Sequence, residues 1–264
     1  MEKLLRLDDQ VALVTGAGSG IGRATAELFA QQGARVGLLG RTEEELQDVA
    51  KAIRDAGGEA LVLVADVSRP EEMQSAVKQL VDEWGRLDIA VANAGINGVW
   101  APLEELKPEE FRKTLDVNLF GTYLTLYYSV PHLKKRGGAV VITSSVNGTR
   151  NFSNSGATAY SASKAAQVAM TKMLALELAS DRIRVNVVCP GAIETNIPEN
   201  TEQRNLEEAR EPVEYPEGRI PLTDDRPGSS EQVAHLMLFL VSKASSHISG
   251  TEVWIDGAQS LLQG

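Results

Sequence analysis

The chain has 264 residues, 43% apolar and 23% charged, a formal net charge of −10 and a single cysteine. That length buries a full core in one large α/β unit or two small ones. The acidic balance argues against a nucleic-acid surface, and Cys189 alone permits neither an internal disulfide nor a multi-thiolate metal site.

Met1–Gln10 is charged and has no apolar core of signal-peptide length, and no run approaches the roughly 20 apolar residues of a membrane span. A cytoplasmic protein with no membrane partner is expected. Val11–Thr15 is a short apolar run ending in glycines, the pattern of a strand buried on both faces. Ile21–Gln32 has helical periodicity and stops at Gly33. Arg35–Leu39 is a second strand. Thr42-Glu-Glu-Glu45 spells a capping box for a helix to Ala56, stopped by Gly57-Gly58. Ala60–Val64 is a third strand, and Ser68-Arg-Pro-Glu71 spells another capping box, with proline in the first turn of a helix ending near Gly85. Leu87–Ala92 is a fourth strand, followed by Asn93-Ala94-Gly95. Pro108 to about Leu133 holds one or two helices. Ala139–Thr143, closed by Ser144-Ser145, is a fifth strand. Ala159–Ser180 is a long helix, Ile183–Val188 a sixth strand ended by Cys189-Pro190-Gly191, Ser230–Val241 a helix and Glu252–Ile255 a final strand.

This alternation predicts a Rossmann-like, doubly wound, mostly parallel seven-stranded sheet with helices on both faces, in a single domain over residues 1–264, because parallel strands need crossover helices. Ligands of such sheets bind beyond the carboxyl ends of the strands. Gly16–Gly22, Asp66, Asn93–Gly95, Ser144–Ser145 and Pro190–Gly191 all follow strands and should converge there. The charged segment 197–230, with five prolines, reads as a mobile flap over a substrate or as a disordered insertion.

Two patterns carry chemistry. In Thr15-Gly16-Ala17-Gly18-Ser19-Gly20-Ile21-Gly22, glycines 16, 20 and 22 remove Cβ atoms where backbone approaches a phosphate, and the following helix presents free N–H groups. Tyr160 and Lys164 stand one helical turn apart, on one face. A nearby ammonium favours the phenolate and should move the phenol pKa towards working pH. Taken alone, such a pair is more often a surface tyrosine packed on a lysine stem. His132, His235 and His247 lie far apart and show no metal-ligand spacing, so no metal is expected.

Together the motifs resemble the short-chain dehydrogenase/reductase family, over Val11–Gly257. They are Thr15-Gly-x-x-x-Gly-x-Gly22, Asp66-Val67, Asn93-Ala94-Gly95, Asn118, Ser144-Ser145, Tyr160-x-x-x-Lys164 and Pro190-Gly191. The resemblance implies that Gly16, Ser19, Gly20, Ile21 and Gly22 hold a dinucleotide and that Asp66, beside Val67, accepts from an adenine amino group; Asp66 also suits a helix cap. Asn93, Ala94 and Gly95 would hold the central strand beside the cofactor, and equally suit a turn. NAD users of the family generally place an acid at the end of the second strand. Here Gly40 and Arg41 stand there, which favours NADP(H) over NAD(H), since a guanidinium pairs with phosphate oxygens. Ser19, where some NADP-specific members carry a second base, weighs against it, and Arg41 is also readable as a solvated charge.

Catalysis implied by the family has Tyr160 donating a proton to a carbonyl oxygen or taking it from an alcohol, with Lys164 lowering its pKa and holding a ribose hydroxyl. A serine stabilises charge on the substrate oxygen, Asn118 anchors a water passing protons to Lys164, and Ile193 and Thr195 bind the carboxamide. The family usually places its serine thirteen residues before the tyrosine. Asn147 occupies that position here, so Ser145 is assigned, over Ser144, through a two-residue loop insertion. The expected activity is interconversion of a small-molecule ketone and secondary alcohol. An NAD-dependent sugar, polyol or alcohol dehydrogenase and a non-catalytic nucleotide sensor are the alternatives. The family also implies a homotetramer built on the Phe111–Leu133 and Ala159–Ala179 helices, which are apolar on more than one face.

Overall fold

A computed structural model of the chain describes residues 2–195, 201–209 and 220–263. The strands are β1 (Val11–Thr15), β2 (Arg35–Gly40), β3 (Glu59–Val64), β4 (Ile89–Ala92), β5 (Gly98–Trp100), β6 (Gly138–Thr143), β7 (Ile183–Pro190), β8 (Thr201–Gln203) and β9 (Glu252–Ile255). Seven of them form one sheet in the order β3-β2-β1-β4-β6-β7-β9, every pair parallel. The order reverses between β1 and β4. The register sets Thr15 opposite Leu39, Ala92 opposite Ile142 and Thr143 opposite Val188, so the carboxyl ends finish nearly level.

The helices are α1 (Glu2–Leu5), α2 (Gly20–Gln31), α3 (Glu43–Asp55), α4 (Pro70–Trp84), α5 (Pro108–Leu115), α6 (Gly121–Leu133), α7 (Thr158–Glu177), α8 (Ser230–Val241) and α9 (Gln259–Gln263). Alternate side chains of each strand feed two cores. Ala12 and Val14 pack with Phe29 of α2, Val49 of α3 and Met237 of α8. Val11 and Leu13 pack with Met73 of α4, Leu124 of α6 and Val168 of α7. Two-sided burial explains why the strands read as continuous apolar runs.

Three local details differ from the sequence expectation. Thr42 makes no side-chain cap bond at the start of α3. Ser68 does not cap α4, whose N-cap is Arg69; its hydroxyl instead donates to Asp66 Oδ1 at 2.7 Å. A π-turn, Asp116–Phe120, joins α5 to α6. A second sheet, unforeseen in the sequence, pairs β5 with β8 in parallel, Gly98 opposite Thr201. Of the expected flap, residues 197–200 and 210–219 lie outside the described residues.

Candidate active site

The carboxyl ends of β1, β2, β4, β6 and β7 open on a cleft of about 1050 Å3, lined among others by Ser19, Arg41, Asp66, Ser145, Tyr160 and Lys164. The β1–α2 turn forms one end. Gly16 sits at φ +65°, and a Cβ there would stand 3.0 Å from Ala94 Cα; a Cβ on Gly22 would overlap the Gly16 carbonyl oxygen. Ser19 leads into α2 with extended backbone and no side-chain cap bond, and the first turn carries no acid. The first N–H groups of α2 are thus left for an anion, with the positive end of the helix dipole behind them. A dinucleotide pyrophosphate fits this cradle.

Asn93–Gly95 ties three strands together. The Thr15 hydroxyl accepts from the Asn93 and Ala94 N–H groups, Asn93 Nδ2 donates to the Thr15 carbonyl, and the Thr143 hydroxyl donates to Asn93 Oδ1. Gly95 packs beside Asn118 and Lys164, a Cβ there reaching within 3.5 Å of Nζ. Asp66 Oδ1 accepts from the backbone and hydroxyl of Ser68. Partial burial works to raise the Asp66 pKa, but those bonds, with the charges of Arg41 and Arg69, hold it below the usual carboxylate value. Val67, Pro190, Gly191, Ile193 and Thr195 complete the wall, with Thr195 packed over Gly20.

Lys164 is 4% exposed, and its Nζ stands 5.5 Å from the Tyr160 ring centroid. Burial pulls the ammonium down to about 8. Its one hydrogen bond among the described residues runs to the Thr143 carbonyl at 2.9 Å, leaving two protons for a cofactor hydroxyl. Burial pushes the Tyr160 phenol above its ordinary value, against a hydrogen bond with Ser145 that works to lower it. The depressed phenol expected from the sequence is therefore absent in the protein alone, because desolvation outweighs the lowering effect of Ser145. A raised phenol is a protonated one at neutral pH, the form that donates.

Known proteins are similar to this chain over nearly its whole length. The family model described as enoyl-(acyl carrier protein) reductase matches residues 16–258. The 3-oxoacyl-acyl-carrier-protein reductase of Thermotoga maritima is 40% identical over 96% of this chain and 98% of its own. The chain is a short-chain dehydrogenase/reductase. Cyclohexanol dehydrogenase of Acinetobacter sp. is 38% identical over 98% of both chains. The crystal structure of a 3-ketoacyl-ACP reductase from Sinorhizobium meliloti 1021 superposes with a TM-score of 0.92 at 60% identity, over 95% of this chain and 99% of that one. Membership makes this chain an NAD(P)-dependent oxidoreductase acting on CH–OH groups.

The two serines after β6 face different partners. Ser145 lies beside the Tyr160 phenol and works to lower its pKa, whereas the Ser144 hydroxyl donates to the Lys164 carbonyl at 2.8 Å. The loop between Ser145 and Tyr160 carries Gly148 against the Lys164 backbone. Asn147 is 6% exposed and lines the cleft with Asn151 and Asn154.

Asn118 departs from its expected role. It is fully buried, its side-chain amide bonds both backbone groups of Ile96 and the Ser163 hydroxyl, and its backbone carbonyl accepts from Thr122 Oγ1 and Gln167 Nε2. Both lone pairs of that carbonyl are used, so it offers no free acceptor for a relay water. Asn118 instead fastens the loop after β4 to α7, one residue from Lys164.

Sequence reasoning missed Trp100. Its indole tilts over Tyr160, centroids 6.4 Å apart at 43°. The β5–β8 pairing holds it there: Arg204 N–H donates to the Trp100 carbonyl, and the Arg204 guanidinium bonds Glu110, Glu202 and the Glu105 carbonyl. Nothing in a three-residue strand signals this. Cys189 is buried, and burial raises its thiol to about 11, so it supplies no thiolate. Among the described residues no group of His, Cys, Asp and Glu is placed to hold a metal, and no helix is long and apolar enough to cross a membrane.

Proposed function

We propose that this enzyme interconverts a small ketone and its secondary alcohol with NADP(H) favoured over NAD(H), using Tyr160 as general acid and base. The observation that carries the reading is the convergence of Ser145, Tyr160 and Lys164 on the cleft that the glycine turn opens. Bound nicotinamide would supply or accept the hydride. Tyr160 gives its proton to the carbonyl oxygen in reduction and takes it from the alcohol in oxidation. Ser145 steadies the phenol and the substrate oxygen, where charge develops. Lys164 directs its remaining protons to a ribose hydroxyl and opposes the negative charge left on Tyr160. Gly40 and Arg41 support NADP(H), because the first leaves room for a 2′-phosphate and the second pairs with it. Asn118 acts by positioning Lys164 and the loop after β4.

In this reading the chain works as one catalytic unit in the cytoplasm. Its exposed Phe120, Tyr123 and Tyr127, stacked along the start of α6, and exposed Met173 and Leu176 on α7 support assembly into a homotetramer. Light scattering at micromolar concentration should give four times the chain mass of 28.4 kDa.

A panel of ketones and secondary alcohols assayed with NADPH and NADH tests the activity; turnover of no carbonyl or alcohol contradicts it. The serine assignment has its own test. Ser145→Ala should cost about 10²-fold in kcat. Ser144→Ala should stay within about threefold in kcat and lose roughly 1 kcal/mol of stability, since it breaks one buried hydrogen bond. Steady-state kinetics and urea unfolding separate the two, and the reverse pattern exchanges the roles.

A further inference from the structure

Glu45 sits where a capping box would turn its carboxylate back on the helix, yet Thr42 and Glu45 form no such box. The Glu45 side chain leans instead against the glycine turn. A Cβ on Gly18 would stand 2.7 Å from Glu45 Oε2 and 3.0 Å from Glu45 Cβ. Glu45 therefore lines the cleft at the same end as Gly18, Ser19, Gly40 and Arg41. Both Glu45 and Arg41 are exposed, and neither belongs to an ion pair among the described residues. This end of the groove, where β2 stops at Gly40, lacks the acid expected there in an NAD user.

We propose that Glu45 sets the coenzyme balance of this enzyme: its carboxylate takes the place of the acid missing at Gly40, accepting from the adenosine ribose hydroxyls of NAD(H) and repelling the 2′-phosphate of NADP(H). The inference rests on the proposed reading of Arg41 as the phosphate partner. Two opposite charges thus face the same position. Arg41 attracts a phosphate through paired N–H bonds. Glu45 opposes it by like charge and rewards a free diol, because an ionised carboxylate only accepts hydrogen bonds. The preference for NADP(H) is thereby held small, and NAD(H) remains a usable coenzyme.

Calorimetric titration of NADP+ and NAD+ into the wild-type protein, Glu45→Gln and Arg41→Ala tests this without any turnover. Glu45→Gln should tighten NADP+ about fivefold and weaken NAD+ about twofold, the size expected of one exposed charge contact. The gain for NADP+ should shrink at 1 M salt, where the screening length is about 3 Å. Glu45→Lys should push the ratio further in the same direction. Arg41→Ala should weaken NADP+ about tenfold and leave NAD+ within about twofold. Equal shifts for both coenzymes in Glu45→Gln, or none, overturn the role of Glu45. An NADP+ affinity indifferent to Arg41→Ala overturns the reading of Arg41, while the Glu45 result still stands or falls by its own ratio.

Discussion

Tyr160→Phe should lower kcat by about 10²- to 10⁴-fold, the range carried by a positioned proton-transfer group, and leave both coenzyme dissociation constants within about twofold. The change removes one oxygen. The ring that packs under Trp100 remains, so the substrate wall keeps its shape. What goes is the proton held beside Ser145. Lys164 gives one proton to the Thr143 carbonyl and keeps two for a coenzyme hydroxyl, and the buried thiol of Cys189, raised to about 11, lies with Ser144, Thr149 and Lys164. Stopped-flow turnover and calorimetry separate chemistry from binding. Weakened coenzyme binding with little loss of kcat would assign Tyr160 to the coenzyme alone.

Lys164→Met should have the second largest effect, and activity and stability should move apart. Turnover should fall by about 10²-fold or more, and coenzyme affinity should fall with it, because two ammonium donors and a positive charge are lost. Stability at pH 7 should hold or rise. Lys164 binds its proton less tightly in the fold, at about 8, than at its ordinary value of 10.5. The unfolded chain therefore binds more protons between those two values, and wild-type stability rises with pH across that window. Below about pH 8 the folded state carries the full penalty of a buried ammonium, at most about 3 kcal/mol. A methionine of similar volume does not carry it. The advantage of Lys164→Met in Tm should be largest below pH 8 and fade towards pH 10.5. Thermal unfolding from pH 6 to 10 measures it. A large loss of stability at pH 7 would make Lys164 chiefly an anchor for the Thr143 carbonyl.

The central sheet was legible because its strands are buried on both faces and end in glycine, asparagine or serine. Val11–Thr15 and Ile183–Val188 show this, β7 running on to Pro190. The proximity of Tyr160 and Lys164 was legible because four residues make a helical turn. The polar environment was not. Thr42 and Ser68 carry cap spellings, but a cap is a choice between hydrogen-bond partners, and the Ser68 hydroxyl takes Asp66 Oδ1. Trp100 was hidden for a topological reason. Its strand has three residues, and its partner Thr201–Gln203 lies about a hundred residues away in a charged segment with no alternation. The π-turn at Asp116–Phe120 has the same residue pattern as an α-helix, so the engagement of the Asn118 carbonyl could not be foreseen. The raised phenol was misjudged because a sequence displays the neighbouring charge and not the depth of burial.

The most direct test of proton transfer through Tyr160 is the pH dependence of kcat/KM in both directions, for one ketone and its alcohol, from pH 6 to 10.5. The phenol is protonated at neutral pH, held there by burial. Carbonyl reduction should therefore be fastest at neutral pH and decline as the phenol ionises, and alcohol oxidation should climb through the same alkaline range. Tyr160→Phe should abolish this mirror relation. Profiles that are flat, or that rise and fall together in both directions, would contradict a phenol as the group that carries the proton.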